Sequence, residues 1–579
     1  MASRSLFKRL YDPPEALELV SKRINGGLVS RILADGSIPV NIEDLAGRLI
    51  AENIYSPRPL PWYPRSLVDG CAVRSVDVSG AFEDRPVELR YAGRVRIGER
   101  PMRGLEGGEC WEVDTGGWVP WGADAVVPIE YVKGPSNGYV KIERGATPGS
   151  GIALPASDVA TGDQIVTRGT PGDPIIVAAL ASIGIRRVKA TRKVKVSVFS
   201  TGDELVEPGI DPGEVKIFDS NRFQIIVKLR SLGYDVVDLG IIGDDIEEVE
   251  DAIIRAVGEG SDIIIASGGT SAGIDDVVYR ALQRRGEIVV HGLRIKPGKP
   301  TILGIAGVDR LFIGLPGNPR SAENVMDRVV IPLISRLGLP VYPPQQARVK
   351  ARVTSQLPVE RGRHTLIPVA LVGSEGDLAA FIVAKDSYMI ASYPKADGLT
   401  VVEAGTHTPP QAGSIIDVTV FKPVKPTAIA LTDSILSRHA SEEMHVKVLY
   451  IPTSTPEDVI KLLPETSNVY VITSIEGLEA AGNNYSVIRR HKRDIILLKR
   501  RGDCSKTAVF TPYSNIAIGE LRDVNRLIVP APRAETALIL VKQGYVDCAV
   551  LPSDLIGGIN DGMDKIKVGE EEVVLARLG

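Results

Sequence analysis

The sequence predicts a multidomain fold of α/β and β parts: a doubly wound parallel α/β domain, irregular β-domains, a small C-terminal β-barrel and an appended second α/β module. Three observations predict it. The 579 residues correspond to about four domains of roughly 150 residues each. Strand and helix patterns alternate strictly from Lys193 to Gly338 and again from 427 to 579. Between and before them lie short β-type runs broken by Gly and Pro.

Each element has its own signal. Asp12-Pro13-Pro14 opens a segment with Ala16, Leu19, Val20 and Ile24 at helical spacing, and Gly26-Gly27 closes it. A second helix is predicted from Ile42 to Asn53. Residues 60–175 read as irregular β structure, with VELRYAG, CWEVDTG, DAVVPIEYV and YVKIERG as strands. VKVSVF (194–199), YDVVDL (234–239) and DIIIAS (262–267) are strands. Ile225, Leu229 and Leu232 mark one intervening helix, and Ile246, Val249, Ile253 and Val257 the next. Right-handed crossovers then require a parallel sheet covered by helices. TILGIA and RLFIGL add strands. Residues 345–422 alternate as a barrel would, and Lys422-Pro423-Val424-Lys425-Pro426 reads as a linker. The expected division is a discontinuous N-terminal helical and extended domain (1–50 and 146–190), a β-rich domain (51–145), the α/β domain (191–340), the barrel (341–422) and the second α/β module (427–579).

Composition excludes several function classes. Apolar residues are 44% and charged residues 24%, ordinary for soluble domains. With 68 Lys and Arg against 72 Asp and Glu, the net charge of −4 gives no basic field for nucleic acid, and 5% aromatics gives little base stacking. No apolar run reaches the roughly 18 residues of a membrane span. Met1–Tyr11 has no apolar signal core. Four dispersed cysteines, Cys71, Cys110, Cys504 and Cys548, form no CxxC pair. A disulfide framework or zinc finger is therefore not expected, and a reducing, cytoplasmic setting is.

Ligands of open parallel sheets bind beyond the carboxyl ends of the strands. Four unusual loops fall there: Ser200-Thr201-Gly202-Asp203-Glu204-Leu205, Ser267 to Gly273 followed by Asp275-Asp276, Lys296-Pro297-Gly298-Lys299-Pro300, and Gly314 to Ser321. The SGGTSAG loop is either an anion cradle or a tight turn. Lys296 and Lys299 sit on a proline-stiffened loop, as oxyanion partners or as solvated charges. Asp275 and Asp276 suit Mg²⁺ beside a phosphate, or cap a helix. Asp244-Asp245 reads as a cap. Glu204 is a candidate metal ligand or general base, or a surface residue. The six histidines show no ligand spacing, and Arg489–Arg493 reads as a solvated face.

STGDELVEPG, DSN (219–221), SGGTSAGIDD, IKPGKP and GLPGNPRSA, in this order, resemble the molybdopterin molybdenumtransferase family, the MoeA type that includes the gephyrin E domain. PRSLVDGCAVR (64–74), VDTGGWVPWGADAVVPIEYV (113–132), SGIALPASDVATGD (150–163) and ADGLTVVEAG (396–405) extend the resemblance over about residues 10–422. It implies Mg²⁺-dependent insertion of molybdate or tungstate into adenylyl-molybdopterin with release of AMP. It also implies a homodimer whose site joins the α/β domain of one subunit to the β-domain of the other. Carried over by motif, Asp69, Thr115, Asp158, Glu204 and Asp245 are catalytic. Ser267, Gly268, Gly269, Thr270, Ser271, Lys296, Lys299, Pro316, Asn318 and Ser321 bind substrate, and Asp275, Asp276 and Glu204 hold the metal. Arg65, Cys71, Gly117 and Ser157 depart from the family pattern. Glu535–Leu551 is similar to the closing helix–Gly–strand of periplasmic-binding-protein-like domains. Two other readings are a molybdate- or tungstate-binding regulatory or scaffold protein using that module, and the adenylyltransferase that makes the substrate. The extra β-domains and the PGKP with GLPGNP pair speak against the latter.

Overall fold

The structure is a computed structural model. It describes residues 9–24, 26–270, 276–341, 347–374, 376–384 and 386–424. Beyond these it describes 427–432, 436–444, 446–451, 456–464, 469–482, 485–499, 506–510, 527–531, 533–543, 546, 548–555 and 563–578.

Helix α1 (Pro13–Ile24) starts at the predicted Pro-Pro, and α2 (Gly27–Ala34) follows. Ala16, Val20, Ile24, Leu28 and Ile32 form one buried stripe that packs into the core of the central sheet. The helix predicted over Ile42–Asn53 does not form; a short 3-10 turn at Ile42–Asp44 is all that remains. Gly47 stops it: its φ is +77°, and a Cβ there would lie 2.2 Å from the Gly233 carbonyl oxygen. The chain is bent so that two backbones can touch.

The β-rich region is one six-stranded sheet of β1 (Gly70–Val73), β2 (Val87–Val95), β3 (Glu109–Val113), β4 (Ala125–Pro128), β5 (Val132–Ser136) and β6 (Tyr139–Ile142). Its order is β4-β1-β3-β2-β6-β5. Here the expectation about cysteines is corrected. Cys71 on β1 and Cys110 on β3 form a disulfide, 39 residues apart in sequence but with Cα atoms 5.7 Å apart. Sequence spacing hides the pair because neighbouring strands supply it. Cys548 is also disulfide-bonded. The argument from dispersed cysteines to a reducing compartment thereby loses its ground.

The central sheet contains β7 (Lys195–Thr201), β8 (Asp235–Ile242), β9 (Ile263–Ser267), β10 (Gly286–His291), β12 (Ile302–Ala306) and β13 (Arg310–Leu315), with the short β11 (Ile295–Lys296) leaving it. The order is β8-β7-β9-β13-β12-β10. The first four strands are parallel, and the last two pairings are antiparallel. Helices α3 (Asn221–Ser231), α4 (Ile246–Gly258), α5 (Val277–Arg285) and α6 (Pro319–Val325) connect or follow the strands. Strand residues alternate between two cores. Val196, Val198, Ile263, Ile265, Leu311 and Ile313 face one, and Phe199, Ile264, Ala266 and Phe312 face the other. Burial on both faces explains the unbroken apolar runs of the sequence.

Strands β14 (Ala347–Val353), β15 (His364–Ser374), β16 (Asp377–Ile382), β17 (Gly398–Val402) and β18 (Ile415–Val420) run β15-β16-β14-β18-β17. The β15–β17 pairing closes them into the predicted barrel. Strand β11 joins this barrel, with Lys296 opposite Thr365.

The C-terminal region holds β19 (Thr427–Ala430), β20 (Lys447–Tyr450), β21 (Val469–Ser474), β22 (Tyr485–Lys499), β23 (Lys506–Phe510), β24 (Leu527–Ala531), α7 (Ala534–Lys542), β25 (Cys548–Pro552) and β26 (Asp564–Leu578). Two parallel groups, β20-β19-β21 and β25-β23-β24, are bridged by the 15-residue antiparallel strands β22 and β26. The linker reading of Lys422 to Val424 does not imply independence; Lys425 and Pro426 lie outside the described residues. Ala370, Val372 and Phe381 of the barrel share one apolar cluster with Ile429, Leu449, Leu463 and Val471. A Lys447–Asp397 ion pair crosses the same boundary, with the Asp397 side chain 2% exposed. Among the described residues no helix is long and apolar enough to cross a membrane.

Candidate functional site

The carboxyl ends of β7, β9 and β13 open onto a cavity of about 1010 Å³, walled on its other side by the barrel. Backbone geometry dictates the local sequence. Gly268 has φ +98°, and a Cβ on it would stand 2.2 Å from the Thr201 carbonyl oxygen. Only glycine lets the loops after β7 and β9 touch. The Gly268 N–H donates to the Leu315 carbonyl at 3.1 Å, and the Thr270 hydroxyl donates to the same oxygen at 3.2 Å. The loops after β9 and β13 are thus tied together.

Asn221, the last residue of DSN and the first of α3, is 6% exposed. Its amide donates to Ser267 Oγ at 2.8 Å and to the Gly317 carbonyl at 2.8 Å. One side chain therefore braces three loops at the cavity wall. Next to it, Ser200 Oγ donates to Asp219 Oδ1 at 3.0 Å, and Arg222 Nε donates to Asp219 Oδ2 at 2.9 Å. Arg222 also pairs with Glu207 and Asp238, which seats the excursion between β7 and α3.

Cations converge from two bodies. Lys296 and Lys299 come from the PGKP loop, and Arg363 comes from the segment leading into β15. Glu360 pairs with both Lys296 and Arg363. Arg320, inside the GLPGNPRSA motif, is 1% exposed. Its guanidinium donates to the carbonyls of Ala384 at 2.7 Å, Asp386 at 3.0 Å and Leu366 at 3.2 Å. No carboxylate pairs with it among the described residues, and burial lowers its basicity. This buried charge fastens the segment carrying Asp386, Ser387 and Tyr388 against the central sheet, where those three residues wall the cavity. Asn221, Arg320, Arg363 and Glu360 were not singled out from sequence. Only the DSN string and the arginine in the GLPGNP loop offered any signal.

The predicted residues divide into three groups. Glu204, Ser267, Gly268, Gly269, Thr270, Lys296, Lys299, Pro316, Asn318 and Ser321 line the cavity together. Ser271 and Asp275 lie outside the described residues. Asp69, Thr115, Asp158, Asp245 and Asp276 are not on its wall. Asp245 is an exposed cap of α4, accepting from Glu247 N at 2.8 Å and Glu248 N at 3.2 Å. Its neighbour Asp244 faces the cavity and accepts from the Thr201 hydroxyl at 2.9 Å. Asp276 is 3% exposed and caps α5 through Tyr279 N at 2.9 Å. Its Oδ2 has no hydrogen-bond partner among the described residues, and burial pushes its carboxyl up to about 7. Among the described residues no three potential ligands cluster as a preformed metal centre. Mg²⁺ needs only one or two protein carboxylates beside substrate phosphates. Glu204 and Asp244 on the wall fit that donor set.

A second group assembles on the β-rich sheet. Asp69 precedes β1, Thr115 follows β3, and the Thr115 N–H donates to Asp69 Oδ1 at 2.6 Å. That bond holds the Asp69 carboxyl below the usual range. The Tyr63 hydroxyl donates to the Gly116 carbonyl at 3.1 Å, and its ring stacks on Trp118 at 4.6 Å. The exposed Trp62 and Trp121 flank this loop pair.

Comparison with known proteins places most of the chain in one family. Residues 12–184 match the MoeA N-terminal region (domain I and II), 197–336 the probable molybdopterin binding domain, and 350–421 the MoeA C-terminal region (domain IV). The molybdopterin molybdenumtransferase of Haemophilus influenzae is 36% identical over 298 residues, covering 52% of this chain and 72% of that protein. Molybdopterin molybdenumtransferase 2 of Mycobacterium tuberculosis is 34% identical over 338 residues, covering 56% and 81%. The crystal structure of the molybdopterin biosynthesis moeA protein from Pyrococcus horikoshii OT3 superposes with a TM-score of 0.52 at 25% identity, covering 71% of this chain and all of that one.

Proposed function

The chain belongs to the MoeA family of molybdopterin molybdenumtransferases, and from that premise we propose that it inserts the metal of molybdate or tungstate into adenylyl-molybdopterin with release of AMP. One observation carries the reading: the Gly268–Gly269 turn, the Pro316-Gly317-Asn318 turn and the Lys296–Lys299 loop meet on a single cavity. In the reaction one P–O bond of the phosphoanhydride breaks as one forms to an incoming oxygen, and AMP leaves; the two pterin sulfurs bond the metal as two oxygens of the oxyanion depart as water, one of which balances the oxygen taken up at phosphorus. Backbone N–H groups near Gly268 and the Ser321 and Asn318 side chains hold phosphate oxygens. Lys296, Lys299 and Arg363 neutralise the developing charge, where preorganised cations act most strongly.

Glu204 and Asp244, with Asp275 and Asp276, would hold Mg²⁺. When bound it supplies Lewis-acid polarisation of the phosphoanhydride. Asp69, Thr115 and Asp158 belong to the reading as contributions from a second copy in a homodimer; for the first two the support is the Thr115 N–H to Asp69 Oδ1 bond at 2.6 Å, which gathers them at one loop pair. The test is AMP formation from adenylyl-molybdopterin with molybdate and Mg²⁺. No AMP, with a competent control enzyme in parallel, ends the proposal.

The C-terminal region is read as a periplasmic-binding-protein-like module. Its support is the pair of parallel groups joined by β22 and β26 in one eight-stranded sheet. Calorimetry of the full chain with molybdate and tungstate, before and after blocking the central cavity with AMP, separates a second oxyanion site from none.

A further inference from the structure

Two of the cations at the cavity are already neutralised by the protein itself. Glu360 lies in the loop before β15, and its carboxylate pairs with Lys296 and with Arg363. Its own backbone N–H donates to Thr365 Oγ1 at 3.3 Å, which fixes the loop against a cavity-lining residue. The side chains of Glu360 and Arg363 are 27% and 25% exposed, and that of Lys296 is 50% exposed. The pairs are thus half screened, strong enough to hold and weak enough to exchange.

We propose that Glu360, which stands off the cavity wall, is a specificity-determining residue: a tethered counter-ion that holds the lining cations Lys296 and Arg363 until a doubly charged tetrahedral anion takes them over. This rests on the reading of the cavity as the molybdate site. The argument is one of charge. A tethered carboxylate competes at a high effective concentration, on the order of millimolar or above. A monoanion that replaces it restores the same charge balance and gains nothing. A dianion brings a second negative charge to Lys296, Arg363 and the nearby Lys299, and so wins the exchange. The carboxylate thereby screens the subsite against abundant monoanions at the cost of weaker intrinsic binding of dianions.

The experiment is calorimetric titration of the full-length protein with sodium molybdate, without Mg²⁺, for wild type, Glu360→Gln and Glu360→Asp. Nitrate is the competing monoanion. Glu360→Gln is expected to bind molybdate about fivefold to tenfold more tightly. Nitrate should then compete with molybdate in Glu360→Gln, and only weakly in wild type. Glu360→Asp, which keeps the charge, should stay within about twofold of wild type. If Glu360→Gln unfolds, Glu360→Ala serves in its place, with a near-wild-type melting temperature as the control. Equal or weaker molybdate binding on removal of the charge, or unchanged nitrate competition, overturns the proposal. Wild-type AMP release is measured separately. Its absence would sink the assigned reaction while leaving the anion titration to decide the role of Glu360.

Discussion

The chain contains two parallel α/β sheets that handle charge in opposite ways. In the central sheet the strand ends carry Ser, Thr, Gly, Pro and Asn, and the cations Lys296, Lys299 and Arg363 line the cavity, with the Glu360 carboxylate shared between two of them. In the C-terminal sheet the arginine on bridging strand β22 turns inward. The Arg493 side chain is 0% exposed and meets Asp554, Glu571 and Thr432 within the protein. A sheet whose polar groups are satisfied internally is being held together. A sheet whose polar groups converge on a cavity is prepared for a guest. The same topology class therefore says little about function, and the fate of each charge says more.

Substitutions should separate the two regimes. The largest effect is expected for Lys296→Ala with Lys299→Ala, which should lower kcat/KM for AMP release by about a hundredfold or more while leaving the melting temperature near wild type. Loss of stability with retained turnover would erase the contrast. Arg493→Met is expected to do the reverse. Leaving Asp554 and Glu571 buried without their cation should cost about 3–5 kcal/mol, read by denaturant titration, with the kinetic constants of the folded protein retained.

Asn221→Ala falls between them, because its amide braces a cavity and is also buried. A loss of about 1–3 kcal/mol should accompany a fall in kcat larger than any rise in KM for adenylyl-molybdopterin. A smaller effect tests an inward-turned charge inside the central region. Glu250, 6% exposed, joins α4 to α5 through Arg284 at 2.9 Å and Arg285 at 2.7 Å. The hydrogen bond from Arg284 first, then that from Arg285, hold its carboxyl below the ordinary value of 4.5. A depressed folded-state value means the contribution is present above that ordinary value and is lost as the pH falls below it. Glu250→Gln should flatten this acid limb of the stability curve and leave AMP release at neutral pH unchanged.

Much of this was legible in the chain. The apolar runs of β7, β9 and β13 and the glycine turns after them announced both the parallel sheet and the ligand edge. What stayed hidden depends on packing between distant segments. Arg320 looks like any arginine until its guanidinium is seen among barrel carbonyls. Glu360 gains meaning only when β11 leaves one body to pair with another and brings Lys296 alongside. Asp244 and Asp245 are adjacent and chemically alike, yet a helix start turns one to the wall and the other to its own backbone. The helix expected over Ile42–Asn53 lost to the contact between Gly47 and Gly233. The Cys71–Cys110 disulfide needed knowledge of which strands are neighbours; its 39-residue separation corresponds to about 4 kcal/mol in a loop-entropy account.

The apolar cluster that joins Phe381 and Val372 to Ile429 and Val471 makes the prolines after Phe421 a poor place to cut. A fragment ending there would carry a bared sheet face and an orphaned Asp397, and should stick to itself in solution. The last 150 or so residues thus serve this chain as a lid on the barrel's apolar side, and a shortened version is expected to need some other cover for it.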